Sequence, residues 1–184
     1  MLYRFDGKQP VVGKDSYVSD IARLIGDVVI GDRCYIGHGA ILRGDYGRIE
    51  IGSGTAVEEG AILHAPPEET NRIGENVTIG HGAVVHGKSI KDFAVVGMGA
   101  VVSIWAEIGE WTIVAEGSVV RLRQVLPDRV IAAGNPATIV RELADKDVAF
   151  WRWGKQVYVD LARKYLEAGM EPVDLSSPSA DRGK

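Results

Sequence analysis

Residues 90–120 read IKDFAVVGMGAVVSIWAEIGEWTIVAEGSVV, and Ile90, Val96, Val102, Ile108, Val114 and Val120 stand in them six positions apart. Ala94, Ala100, Ala106, Thr112 and Ser118, all small or β-branched, follow the aliphatic positions by four. Toward the N-terminus the series continues as Val12, Val18, Leu24; Ile30, Ile36, Leu42; Ile51, Val57, Leu63; Ile73, Ile79, Val85. The aliphatic positions thus recur with a period of six along most of the chain. This period predicts a parallel β-helix, in which each hexapeptide makes one short strand and one turn and three make a triangular coil. The aliphatic side chain points into the prism and the small one fits the narrowing corner. A single coil cannot bury its own apolar face, so coils stack, about 4.8 Å apart. Eighteen positions in register give an all-β fold of about six coils and leave little room for an antiparallel sandwich.

The register breaks in three places. Leu42 to Ile51 spans nine residues, Leu63 to Ile73 ten, and Val85 to Ile90 five. The two long intervals predict loops pushed out of the prism around Asp45–Ile49 and Pro66–Arg72. Loops on a rigid scaffold often carry function.

The β-helix is expected over residues 1–135, a helical segment over 136–170 and a disordered tail over 171–184. Pro136 reads as a stop. Val148, Trp151, Tyr158, Leu161 and Tyr165 fall near one helical face, and Gly169 is placed to end that helix, which would pack along the outside of the prism. A net charge of −4 and the lack of a basic cluster give no support to nucleic-acid binding. No apolar run is long enough for a bilayer. The one cysteine, Cys34, falls on a small inward position and reads as a buried core thiol; no disulfide within the chain is possible, which fits the cytoplasm.

Three of the four histidines, His64, His81 and His86, lie in AVEEGAILH and VTIGHGAVVHG. His64 follows Leu63 and His86 follows Val85, so both point outward on the third face and stack one coil apart, with Arg43 one coil below. His81 lies at the corner ending the second face, in a column with His38, Glu59 and Met98. The stacked pair reads either as solvated surface histidines or as two ligands of one metal ion. In the second reading a third ligand, His81, comes from a neighbouring chain in a closed ring of three, leaving the fourth position open as in a catalytic site.

The segment LRGDYGRIEIG at 42–52, the H-x16-H-x4-H spacing and AAGNPATIVREL at 132–143 resemble the γ-class carbonic anhydrases, over essentially the whole chain. The resemblance implies a left-handed β-helix, a homotrimer, and zinc (alternatively iron or cobalt) held between subunits by His64, His81 and His86. It implies reversible hydration of CO2 to bicarbonate. Arg43 and Asp45 match the family's Arg-Gly-Asp pair at the interface, and Tyr158 resembles a tyrosine of the terminal helix that reaches the site. Where relatives have Asn and Gln before the first ligand, this chain has Ala56 and Glu58; Glu58 would accept a proton from the reacting water, orient it, or bind the metal. Glu68 and Glu69, on the second expected loop, are candidate proton shuttles. The rival readings are an acyltransferase using acyl-CoA, a metal-binding scaffold with little turnover, and a thioesterase.

Overall fold

The computed structural model describes residues 1–173; most of the expected tail, from residue 174 on, lies outside the described residues. The chain forms a parallel β-helix of about seven turns followed by one helix. Of the eighteen aliphatic positions, all but Val12 and Val18 are at most 3% exposed, and those two pack partly buried against the rest. Each buried aliphatic side chain contributes roughly 1.5–3 kcal/mol, so the prism is the main source of stability.

The second face is a sheet of eight strands, including Tyr35–Ile36, Ala56–Val57 and Thr78–Ile79. The first and third faces are joined into one twelve-stranded sheet. Their junction is two long strands, Arg23–Ile30 and Ile41–Ile51, that run around the corner without a break. The interval around Asp45–Ile49 is therefore strand and not the loop that its length predicts. It pairs with Arg23–Ile30 below and Thr70–Ile73 above, and the surplus is absorbed by a register shift between Gly26 and Val28. The second long interval does leave the prism, but as a shorter turn that ends where Thr70–Ile73 begins.

The count of six coils is one short. Val125–Leu126 and Val130–Ala133 keep the six-residue register and add a turn, with Leu126 and Ala132 buried. The chain then returns antiparallel as Thr138–Glu142, closing the end of the second-face sheet. The helix Asp145–Ala168 follows; the Asp147 carboxylate accepts the Ala144 N–H at 2.9 Å, and Gly169 (φ 71°) closes it with its N–H on the Tyr165 carbonyl at 3.0 Å. The helix packs on the second face, where Ala162 with Tyr158, Leu161 and Tyr165 meets Tyr17, Tyr35 and Ala56.

Candidate metal centre

The strand ladder fixes one half of the site. Arg43 pairs in register with His64, and Leu63 with Val85, so Arg43, His64 and His86 rise in one column on the third face. The two imidazoles stack with ring centroids 4.6 Å apart. The corner-turning strand brings Asp45 into this half: it accepts from Arg43 Nη1 at 2.6 Å and lies 3.0 Å from His64 Nε2. Burial alone would raise the Asp45 carboxyl; the hydrogen bonds from Arg43 and His64 outweigh it and hold the group below the usual carboxylate range. His86 Nε2 is buried with no hydrogen-bond partner. Burial, then the neighbouring His64 and Arg43, lower the His86 pKa and favour the neutral imidazole. A neutral, unpaired ring nitrogen beside a second imidazole fits a divalent transition metal.

The other half sits at the second-face corner. His81 is clamped by two carboxylates, with Nε2 3.1 Å from Glu58 Oε2 and Nδ1 2.7 Å from Glu59 Oε2. Glu58 also accepts the His81 backbone N–H at 3.1 Å. Glu58 is 5% exposed. Burial raises its pKa, a shift partly offset by the Tyr158 hydroxyl that donates to it and by His81. Burial and then Glu58 push the Tyr158 phenol up. On the far side of His81, Tyr35 donates to Glu59 Oε1 at 2.6 Å.

The two halves lie on different faces. Among the described residues, no three His, Cys, Asp or Glu side chains of one chain gather in a metal-holding group. One chain brings Arg43, Asp45, His64 and His86 together, and separately Glu58, His81 and Tyr158. Glu68 and Glu69 stand exposed on the turn before Thr70. Cys34 is buried, its thiol raised by burial.

Residues 9–44 match the family described as bacterial transferase hexapeptide (six repeats), and residues 70–103 the hexapeptide repeat of succinyl-transferase. The chain is 38% identical over 181 residues to the carnitine operon protein CaiE of Proteus sp. (strain LE138), covering 98% of this chain and 92% of that protein. It is 36% identical over 162 residues to the mitochondrial gamma carbonic anhydrase 2 of Arabidopsis thaliana, covering 85% of this chain and 58% of that protein. The chain belongs to the γ-carbonic-anhydrase-like hexapeptide-repeat family. A solved structure of a hexapeptide transferase family protein from Anaplasma phagocytophilum matches it with a TM-score of 0.85 at 31% identity, over 90% of this chain and 98% of that one.

Three side chains of this γ-carbonic-anhydrase-like chain escape a reading of its sequence. Glu59 shares the His81 column but carries no role in the sequence pattern, yet it makes the shorter of the two His81 contacts. Tyr35, which supports Glu59, is nearly fully buried. Lys155 is 4% exposed and donates to Thr78 Oγ1 at 3.2 Å and the Ala94 carbonyl at 3.1 Å. Burial pushes its pKa down to about 7, with Glu58 pulling the other way. The available signal was position: Lys155 lies four residues after Trp151 and three before Tyr158, on the stripe that faces the prism.

Proposed function

We propose that the protein is a homotrimer that holds a divalent metal between subunits, zinc or alternatively iron or cobalt, and interconverts CO2 and bicarbonate there. The observation that carries this reading is the stacked pair His64 and His86, with a buried, unpaired nitrogen on His86. His81 of the next chain completes the set, because a ring of three prisms turns the second-face corner of one toward the third face of the next. A metal ion at such a centre supplies Lewis-acid activation of water near neutral pH, where the water's pKa falls to about 7.

The chain's own groups do the rest. Glu59, braced by Tyr35, fixes His81 through Nδ1, so Nε2, which faces Glu58, is the nitrogen that would bind the metal. Glu58 lies beside that nitrogen, where it orients the reacting water and takes its proton; its raised pKa suits it to that exchange. Tyr158 holds the Glu58 carboxylate in place. Asp45 ties Arg43 to His64 and so orders the facing half of the interface. The single thiol, kept reduced, suits the cytoplasm.

The relatives named as γ-carbonic anhydrases support the hydration chemistry. A second reading, transfer of an acyl group from acyl-CoA, rests on the hexapeptide transferase family to which the Anaplasma structure is assigned. Metal analysis paired with a CO2-hydration assay separates them. Protein purified without oxygen should carry about one divalent ion per chain and lose hydration activity on chelation. Less than about a tenth of an ion per chain would overturn the metal reading.

A further inference from the structure

A pocket of about 260 Å3 lies between the terminal helix and the edge of the second face opposite His81. Asn76, Phe93, Arg152, Lys155 and Gln156 line it. Asn76 and Phe93 turn the corner from the first face, with φ of 51° and 59°, and lead into Thr78–Ile79 and Val95–Val96. None of the five belongs to either half of the metal centre, and the pocket lies within one chain. Two of its residues are cations and none is a carboxylate. Asp160 accepts from Gln156 Nε2 at 3.2 Å, and Asp92, next to Phe93, accepts the Glu75 N–H at 2.8 Å; neither they nor Glu75 lines the pocket.

Among the described residues, neither Arg152 nor Lys155 forms an ion pair. Arg152 is instead held from the side. Its guanidinium lies 5.5 Å from the Trp111 ring centroid, and Phe93 stacks on Trp111 at 4.6 Å with the rings 2° from parallel. That contact orders the guanidinium and leaves its N–H groups without a carboxylate. Lys155 is 4% exposed, and its ammonium donates to Thr78 Oγ1 and to the Ala94 carbonyl, one residue past Phe93. Both acceptors are neutral, and among the described residues the third N–H has no acceptor. Glu58 attracts the ammonium from the other edge without forming an ion pair. A buried ammonium is costly unless an anion faces it, and the chain supplies none here.

We infer that this pocket binds a phosphate group, free or carried by a small organic molecule. Arg152 and Lys155 stand three residues apart on one side of the helix and bring two positive charges. A phosphate group carries about 1.5 to 2 negative charges at neutral pH. The planar guanidinium engages two of its oxygens at once, and the ammonium a third. The side-chain amides of Asn76 and Gln156 stand beside them as further donors. The Phe93 ring offers a face to an organic remainder. This goes beyond the hydration reading and does not depend on it, since CO2 carries no charge to match two cations.

The test titrates inorganic phosphate, phenyl phosphate and bicarbonate calorimetrically into the whole protein, in a buffer without other multivalent anions. Phosphate should bind saturably. His81→Ala, which lacks a metal ligand, should keep one such site per chain. Arg152→Gln, on the exposed side of the helix, and Lys155→Met should each weaken that site about tenfold or more, the scale of one hydrogen bond between charged groups. Phosphate should raise the urea midpoint of the wild type and not that of Lys155→Met. Phenyl phosphate bound more tightly than phosphate assigns the site to an organic phosphate whose ring meets Phe93; equal binding assigns it to the free ion. No saturable phosphate binding, binding undiminished in either pocket variant, or binding lost in His81→Ala would overturn the proposal, the last by placing the phosphate on the metal. Bicarbonate bound by His81→Ala as tightly as phosphate would overturn it in favour of a site for any small anion. Hydration of CO2 is measured on the same preparations: its absence would count against the proposed activity and leave the pocket unaffected.

Discussion

Replacing Lys155 with methionine should stabilise the protein below neutral pH, and the gain should fade as pH rises. The folded chain holds this amine at about 7 against an ordinary 10.5. At 1.36 kcal/mol per pH unit, its ammonium is disfavoured in the fold by up to about 5 kcal/mol. Its two hydrogen bonds, to Thr78 Oγ1 and the Ala94 carbonyl, return about 3 kcal/mol of that, at about 1.5 kcal/mol for each bond from a charged donor. The Ala94 carbonyl keeps the Thr78 N–H at 3.0 Å when the amine is gone. Methionine matches the apolar stem in length, so Lys155→Met should gain about 2 kcal/mol at about pH 6. Between the two pKa values the unfolded chain binds more protons than the folded one, so wild-type stability rises with pH. The penalty is full below about 7 and gone above about 10.5, and the advantage of the variant should shrink toward zero by about pH 10. Urea unfolding of both proteins at matched protomer concentration reads this difference directly. A variant less stable than wild type at about pH 6, or a difference that does not change with pH, would refute the reasoning.

Glu58→Gln should shift the pH profile of CO2 hydration while the circular dichroism spectrum and the oligomer size stay unchanged; an unaltered rate and profile would reduce Glu58 to a buried structural charge. Leu63→Ala should cost about 2–5 kcal/mol of stability, because Leu63 is fully buried and precedes His64. The same variant should bind metal more weakly, and equilibrium dialysis against zinc checks it. Asp45→Asn should lower metal affinity about tenfold or more through loss of its contacts to Arg43 and His64; unchanged affinity would leave Asp45 as an interface residue only.

Much of the fold was legible because a prism with three faces repeats its inward positions at a fixed interval, and eighteen aliphatic residues mark them. The seventh turn was hidden because its second-face inward position is Ala132, too small to stand out as an aliphatic marker. The strand across Asp45–Ile49 was hidden because spacing reveals that residues are surplus but not whether they leave the sheet. Here Arg23–Ile30 already turns the corner and offers those residues a partner. The stacking of His64 and His86 follows from register alone. The register put Glu59 in the His81 column but said nothing of its contact with Nδ1; Lys155 and Tyr35 act through contacts between the helix and a coil or between coils, and a period of six carries no information about those two side chains.

Mixing two inactive variants tests the shared centre most directly. His64→Ala and His81→Ala are refolded together at equal amounts and assayed for metal content and CO2 hydration. In a cyclic trimer, a site is whole when a chain with intact His64 and His86 meets a neighbour with intact His81. Random assortment makes that true of roughly a quarter of the sites, so about a quarter of wild-type activity should return. If His64, His81 and His86 served a site within one chain, every mixed site would still lack a ligand. No recovered activity, from variants that assemble into trimers, would contradict the account.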